Sequence, residues 1–359
     1  MLKFDKNSNF TKKYEKIVDR NEKYGYEKDI ARESGYSVST VSRVLNHRND
    51  VSPDAKKKIE KVVAAYNFVP NNNAKHLKQS NSKSIGVLVK GIQNMLFASI
   101  VEEIQCMIEN TDYTLIVSYL DEDADEVEQA VLLCRERKPL GLLFLGGNPE
   151  YFKKEFAQVD VPCVLVTNLA DQMDFPNLSS VATDDIAAAK CAVDALFDAG
   201  HTKIGILGGD IEKSYTSHQR FIGCQQSFLE HDTVFVPEKS YEKARFSYDS
   251  AYRGMKRLIA RCPDITAVFA MSDVMAIGVI RALRDLEYRV PEDVSVIGFD
   301  GTALAEYYNP KLATIKQQYQ TLATRSVEIL FGQIELKRSQ IHEIVPFELA
   351  SGESIQKIR

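Results

Sequence analysis

The sequence is poor in the features that mark secreted, membrane-bound and metal-dependent proteins. Its six cysteines, at 106, 134, 163, 191, 224 and 262, are scattered through apolar segments without a CxxC pair. That is how small core residues are used in a reducing compartment, not how a disulfide framework is built. The six histidines show no HExxH or related spacing, so no metal site is expected. No apolar run approaches the roughly 20 residues that span a bilayer. The opening MLKFDKNSNFTKKYEK carries charge but neither an apolar core nor a small-residue cleavage site, unlike a secretory signal. Together these absences imply a cytoplasmic protein with no membrane partner. The phosphate-cradling GxGxxG and GxxxxGK(S/T) loops and the GxSxG nucleophile elbow are missing too. Glycine pairs at 146–147 and 208–209 follow apolar runs but lack the rest of any such loop. No cofactor is called for, and nothing marks an enzyme.

What is present is length, apolar content and a lopsided charge. The 359 residues suit two or three domains, and a hydrophobic fraction of 44% is ample for packed cores. Net charge is −5, yet residues 1–80 hold 17 Lys/Arg against 10 Asp/Glu while the remainder hold 28 against 40. A basic head on an acidic body suits a DNA-binding segment joined to a soluble core.

The segment EKDIARESGYSVSTVSRVLN reads as two short helices and a tight turn. The first covers Glu27 to Ser34, with Ile30 and Ala31 inward. Gly35 can take the positive φ that stops it. Ser37 offers an N-cap hydroxyl to a second helix over Val38 to Leu45. Ala31, Gly35 and Val41 then fall where a helix-turn-helix needs a small contact, a turn residue and an apolar core residue. On the second helix Val38, Ser39, Ser42 and Arg43 share an exposed side. Arg43 suits a guanine edge and Val38 a thymine methyl; Ser37 and Thr40, at the helix start, suit phosphate oxygens. A third helix follows, with Ser52 as cap, Pro53 at its first position, and Ile59, Val62 and Val63 facing the other two. Next, Pro70 interrupts and Asn71 can cap a helix of only about eight residues, too short to persist alone. Ala74 and Leu77 lie on it, and Leu77 would make an apolar wedge for a minor groove. Taken by themselves, these residues favour an ordinary polar linker.

From Lys83 onward, short apolar runs alternate with amphipathic segments. SIGVLVK, YTLIVSYL, LGLLFLGG and PCVLVTN read as buried strands, with helices near 97–110, 125–137 and 150–157. KIGILGG, AVFAMS and VSVIGFD repeat the scheme, with helices near 184–199, 215–230, 248–261 and 273–287. Continuous apolar strands between helices mean parallel sheets covered on both faces. Two such units in tandem give an all-α helix-turn-helix head followed by an α/β body of two doubly wound subdomains with a cleft between them.

The run DIARESGYSVSTVSRVLNHRNDVSPDAKKKIEKVVAAYNFVPNNNAKHLK resembles the DNA-binding head and hinge of the lactose-repressor/galactose-repressor family. The likeness continues through PEDVSVIGFD, NPKLATIKQ and the closing SGESI, covering essentially residues 26–359. It implies a homodimeric regulator of operator DNA with a periplasmic-binding-protein-like body. The segment with Asn71, Ala74 and Leu77 would fold on the operator, Leu77 prying open a central base step. Three chain crossings between subdomains would fall near 182, 318 and 344. The implied units are an extension expected to be mobile (1–25), head (26–69), hinge (70–83), first subdomain (84–182 plus 319–344) and second subdomain (183–318 plus 345–359). Where the family has Thr or Ser followed by an apolar residue, Tyr26 and Glu27 stand.

Strand ends and the family's pocket together nominate ligand residues: Leu96, Phe97, Thr167, Asn168, Arg220, Phe246, Ser272 and Asp300. Ligands of open α/β sheets bind beyond the carboxyl ends of the strands. An Arg, a carboxylate, hydroxyls and an amide around an aromatic face suit a polyhydroxylated ligand, so a sugar effector is expected. Ser272 stands where the family often has Asn or Asp, and a nucleobase remains open. An enzyme, or a solute-binding protein of the periplasm, would explain the body but not the basic helix-turn-helix.

Overall fold

The computed structural model describes residues 27–45, 51–65, 83–91 and 94–358, in two compact units, Met1–Ser82 and Lys83–Arg359. The expected extension over 1–25, together with Tyr26, Asn71, Ala74 and Leu77, lies outside the described residues.

The first unit contains α1 (Glu27–Ser34), α2 (Val38–Leu45) and α3 (Pro53–Ala65). Gly35 between α1 and α2 has φ +73°, a conformation that costs a residue with a Cβ, and the Ser37 hydroxyl accepts from the Thr40 amide at 3.2 Å. The Ser52 hydroxyl accepts from Ala55 N at 3.4 Å and starts α3. Ile30, Ala31, Val41, Val44 and Ile59 form the buried core, flanked by half-buried Tyr36, Val62 and Val63.

The second unit holds two six-stranded sheets among the described residues. The chain runs β1 (Ser84–Lys90), α4 (Met95–Glu109), β2 (Thr114–Leu120), α5 (Glu126–Arg137), β3 (Gly141–Leu145), α6 (Pro149–Glu155), β4 (Cys163–Val166) and β5 (Leu178–Thr183). It then crosses into α7 (Asp185–Asp198), β6 (Ile204–Gly208), α8 (Tyr215–Glu230), α9 (Pro237–Ser240), β7 (Tyr241–Lys243), α10 (Tyr248–Arg261), β8 (Ala267–Ala270), α11 (Asp273–Asp285), β9 (Ser295–Asp300), α12 (Ala303–Tyr307) and β10 (Ala313–Gln317). Afterwards α13 (Tyr319–Leu336) and β11 (His342–Val345) return to the first sheet, and β12 (Phe347–Ala350) ends in the second. The orders β2-β1-β3-β4-β5-β11 and β7-β6-β8-β9-β10-β12 are the same pattern repeated. All pairings are parallel except β10 with β12. Each half therefore reverses strand order beside its first strand, the switch point at which such sheets open a crevice.

Several elements escape the periodicity reading, β5, β7 and α13 among them. The β5 segment LSSVAT is too polar to read as a buried strand, yet all six residues are buried. Its two serine hydroxyls are satisfied from neighbouring loops: Ser179 Oγ accepts from Ile341 N at 3.0 Å, and Ser180 Oγ accepts from Ala170 N at 3.0 Å. Strand β7 has only three residues, below any periodic signal. Helix α13 belongs to the first half, where Leu322, Ala323, Val327, Ile329 and Leu330 enter a core with Ile85, Leu143 and Val164.

The small core of the head yields a test. Ile59 is fully buried, and its truncation to Ala should cost about 2–5 kcal/mol. Ile59→Ala should therefore abolish DNA binding while leaving the main calorimetric transition of the body unmoved. A variant that still binds DNA at wild-type affinity would show that Ile59 is not the keystone of this core.

Candidate functional site

In the head, α2 buries Val41 and Val44 and turns its other side to solvent. Ser37, Val38, Ser39 and Arg43 are exposed, and Thr40 and Ser42 are half-buried. The Ser37 hydroxyl lies 2.8 Å from both Ser39 Oγ and Thr40 Oγ1, so three hydroxyls cluster at the start of this helix.

In the body, a cavity of about 380 Å³ lies between the carboxyl edges of the two sheets. Of the eight nominated residues, Leu96, Phe97, Thr167, Arg220, Phe246 and Asp300 line it. Asn168 and Ser272 do not. Asn168 is buried beside the cavity, its Oδ1 accepting from Gly147 N at 3.1 Å and its Nδ2 donating to Thr216 Oγ1 at 2.9 Å. It thus joins the two halves. Ser272 caps α11, accepting from Met275 N at 3.2 Å. Both are polar groups at strand ends, but their hydrogen bonds are consumed by the fold.

Arg220, on the second turn of α8, is buried. Its Nε donates to Asp185 Oδ1 at 2.9 Å, Nη1 donates to the Met271 carbonyl, and the guanidinium lies 3.6 Å from the centre of the Phe299 ring. The guanidinium is thereby fixed at the wall of the cavity. Asp300 ends β9 with φ +115° and Thr167 follows β4 with φ +75°. Non-glycine residues held in this region store about 1–3 kcal/mol each and gather at binding sites. Asp300 Oδ1 accepts from Gln317 Nε2 at 2.9 Å, while Gln317 Oε1 is buried with no partner.

Burial pushes the Asp300 carboxyl up to about 8, against the pull of Arg220 and helped by the nearby Asp273. Burial also raises Asp273, although Thr314 Oγ1 and the Thr302 amide donate to it. Asp185 and Asp300 thus share one guanidinium while Asp273 adds negative charge beside Asp300, and a retained proton relieves the excess.

Two aromatic rings form walls. Phe97 lies against Gly146, where an added Cβ would meet the ring at 3.2 Å, and Phe246 lies against Gly209, where it would meet the ring at 2.9 Å. Each strand-end glycine makes room for a phenylalanine, one from each half. At the rim, the loop after β2 grips the loop after β7. Arg245 Nη2 sits 2.5 Å from Asp121 and 3.5 Å from Asp123, and its Nε donates to Glu122. Glu122 Oε2 also accepts from the Phe246 amide at 3.3 Å. Gln317, Glu122 and Arg245 were not nominated. Gln317 ends a strand and could have been found by the same rule, whereas the rim clasp has no local signal.

Residues 28–71 match the family model described as bacterial regulatory proteins, lacI family, and residues 193–355 match a periplasmic binding protein-like domain. Over 330 residues the chain is 36% identical to the HTH-type transcriptional regulator MalR of Clostridium butyricum, covering 91% of this chain and 98% of that protein. The chain belongs to the lacI family. It is a DNA-binding transcriptional regulator with an effector-binding body, and its relatives are regulators, not enzymes. It is also 30% identical over 308 residues to the ribose operon repressor of Haemophilus influenzae, covering 86% of this chain and 91% of that protein. In fold it is similar to the lac repressor dimer bound to operator and the anti-inducer ONPF, with TM-score 0.69, 24% identity, and 91% and 98% of the two chains covered. Among the described residues no helix is long and apolar enough to cross a membrane.

Two predictions follow the geometry of this lacI-family cleft. Asp300 is raised far above its unfolded value of about 3.9. Its protonated form therefore contributes stability that is full below that value and is lost as the pH rises through about 8. Asp300→Asn should flatten the fall in melting temperature between about pH 4 and 8. An unchanged slope would mean that Asp300 is ionised throughout. Arg245→Ala should release the rim, giving faster amide exchange over residues 121–123 and at Phe246. Identical exchange would show that the clasp holds nothing.

Proposed function

We propose that this regulator is a repressor that binds a roughly palindromic operator as a homodimer in the cytoplasm, at the nucleoid. Its affinity for the operator is set by a polyhydroxylated small molecule, a sugar, held in the cleft of the body. The observation that carries this reading is the pinned guanidinium of Arg220 with Asp300 and Gln317 at the wall of a cavity whose other lining includes two phenylalanine rings. Fixed donors and acceptors with an aromatic face are what vicinal hydroxyls on an apolar ring require. The ribose operon repressor among its relatives supports the same class of effector.

On DNA, Ser37 and Thr40 hold phosphate oxygens, while Val38, Ser39, Ser42 and Arg43 face base edges of the major groove. Asn71, Ala74 and Leu77 act in the hinge over 70–83, Leu77 as the minor-groove wedge. The first half of the body comprises 84–182 plus 319–344, and the second 183–318 plus 345–359. An effector that prefers one relative orientation of the halves shifts the population of the DNA-competent state by its differential affinity. Release of the operator on binding is the sign we favour.

A thermal-shift panel of monosaccharides, disaccharides, sugar phosphates and nucleobases tests the effector. A ligand at 100 times its Kd adds about 2.7 kcal/mol, and a rise with nucleobases alone would overturn the sugar reading. For the head, Arg43→Ala should cost about 1–3 kcal/mol and relax preference at one base pair of each half-site. Uniform weakening across operator variants, measured by fluorescence anisotropy, would instead assign Arg43 to the phosphates.

A further inference from the structure

The size and charge of the effector are written into the cleft wall. The buried and half-buried cations that line it, and Arg245 at its exposed rim, are each matched by a carboxylate. Lys90 Nζ lies 2.5 Å from Glu126, Arg220 Nε 2.9 Å from Asp185, and Arg245 is held by the acidic loop. At the exposed rim Lys243 lies 3.0 Å from Asp210, and Lys213 also acts on the Asp210 carboxyl, which is held below its ordinary value mainly by Lys243. The helices that open onto the cleft are capped by their own chain. Asn94 accepts from Leu96 N at 3.0 Å, Asn148 from Glu150 N at 3.1 Å, and Ser214 from Ser217 N at 3.3 Å. Asp300, in the deepest part, would face any anion that entered. At the buried end a phosphate would therefore gain no unmatched cation and would shed its hydration shell uncompensated.

Volume points in the same direction. At about 30 Å³ per water, the 380 Å³ cavity holds roughly twelve waters. One pyranose displaces roughly half of these, on the same water-sized scale. A single ring would leave the rest of a partly apolar cavity wet. Two separate aromatic faces are on offer, Phe97 from the first half and Phe246 from the second. The lining also changes along its length. Arg220, Asp300 and Gln317 are almost wholly buried, whereas Arg245 is half exposed at the rim.

Resting on the polyhydroxyl reading above, we propose that the effector is an uncharged two-ring saccharide and that the cleft discriminates against phosphorylated sugars. One ring occupies the buried end against Arg220, Asp300 and Gln317; the second extends toward the clasp of Glu122 with Arg245. Each face of the cleft supplies one aromatic platform, so closure of the halves depends on both rings.

The test is isothermal titration of the full-length protein with maltose, cellobiose, lactose, sucrose and trehalose. The comparison ligands are glucose, galactose, fructose and ribose, with glucose 6-phosphate and the 6-phosphates of the disaccharides that bind. At least one neutral disaccharide should bind more than about tenfold tighter than every monosaccharide, and its phosphate should bind more than about tenfold weaker. A monosaccharide matching the best disaccharide, or a phosphate matching its parent, overturns this proposal while leaving a sugar effector in place. No heat from any saccharide overturns the sugar reading itself and this proposal with it.

Discussion

The cleft is organised around one buried cation. Arg220 reaches from α8 to a carboxylate at the start of α7, to the carbonyl that follows β8, and over a ring of β9. Four elements of the second half are thus tied at the carboxyl edge of their sheet. Burying a guanidinium is costly unless it is paired and fully hydrogen-bonded, and stripping one partner from such a pair typically costs about 3–5 kcal/mol. The surrounding geometry follows from that requirement. Asp185 sits one residue past the first crossing, so the same contact that holds Arg220 also anchors the chain where it enters the second half. Asp300 and Asp273 then have too few cations to share, which is why Asp300 keeps its proton and why Gln317 turns its amide toward it.

The second constraint is the balance between the halves. Among the described residues their direct hydrogen bonds at the cleft are few: Asn148 Nδ2 to the Lys213 carbonyl at 3.0 Å, Asn168 to Thr216, Tyr248 Oη to Met95 Sδ at 3.5 Å, and the clasp of Arg245 and Phe246 with residues 121–123. Contacts of this kind at a surface are individually weak. Such a set can hold a cleft closed without locking it, which is what a ligand-biased equilibrium needs. Strong apolar packing across the cleft would have left the effector nothing to decide.

The parts legible in the sequence are those governed by local spacing. The helix-turn-helix spacing of Ala31, Gly35 and Val41, the caps at Ser37 and Ser52, and the apolar strands of both halves all depend on neighbours a few residues apart. Strand-end position, together with the resemblance to the family's pocket, likewise led to Arg220, Phe246, Asp300 and others of the cavity lining. The same rule led to Ser272 and Asn168, where it cannot tell a hydroxyl that caps a helix or an amide that joins two loops from one that faces a ligand. Strand β5 was hidden for a related reason: its serines are buried because Ile341 and Ala170, distant in sequence, donate to them.

The sequence by itself determined the order of elements, the basic head, the paired α/β halves and the residue types at the strand ends, because hydrophobic period and capping chemistry act over a turn or a strand. Only the tertiary structure decided which of those strand ends share a cavity. That depends on the chain crossing between two sheets and returning, which brings Arg245 against residues 121–123 across more than a hundred intervening positions, and on the pairing of β10 with β9, which sets Gln317 beside Asp300. Charge pairing over such separations leaves no periodic trace in a chain, since Coulomb attraction and burial respond to distance in space and not along the sequence.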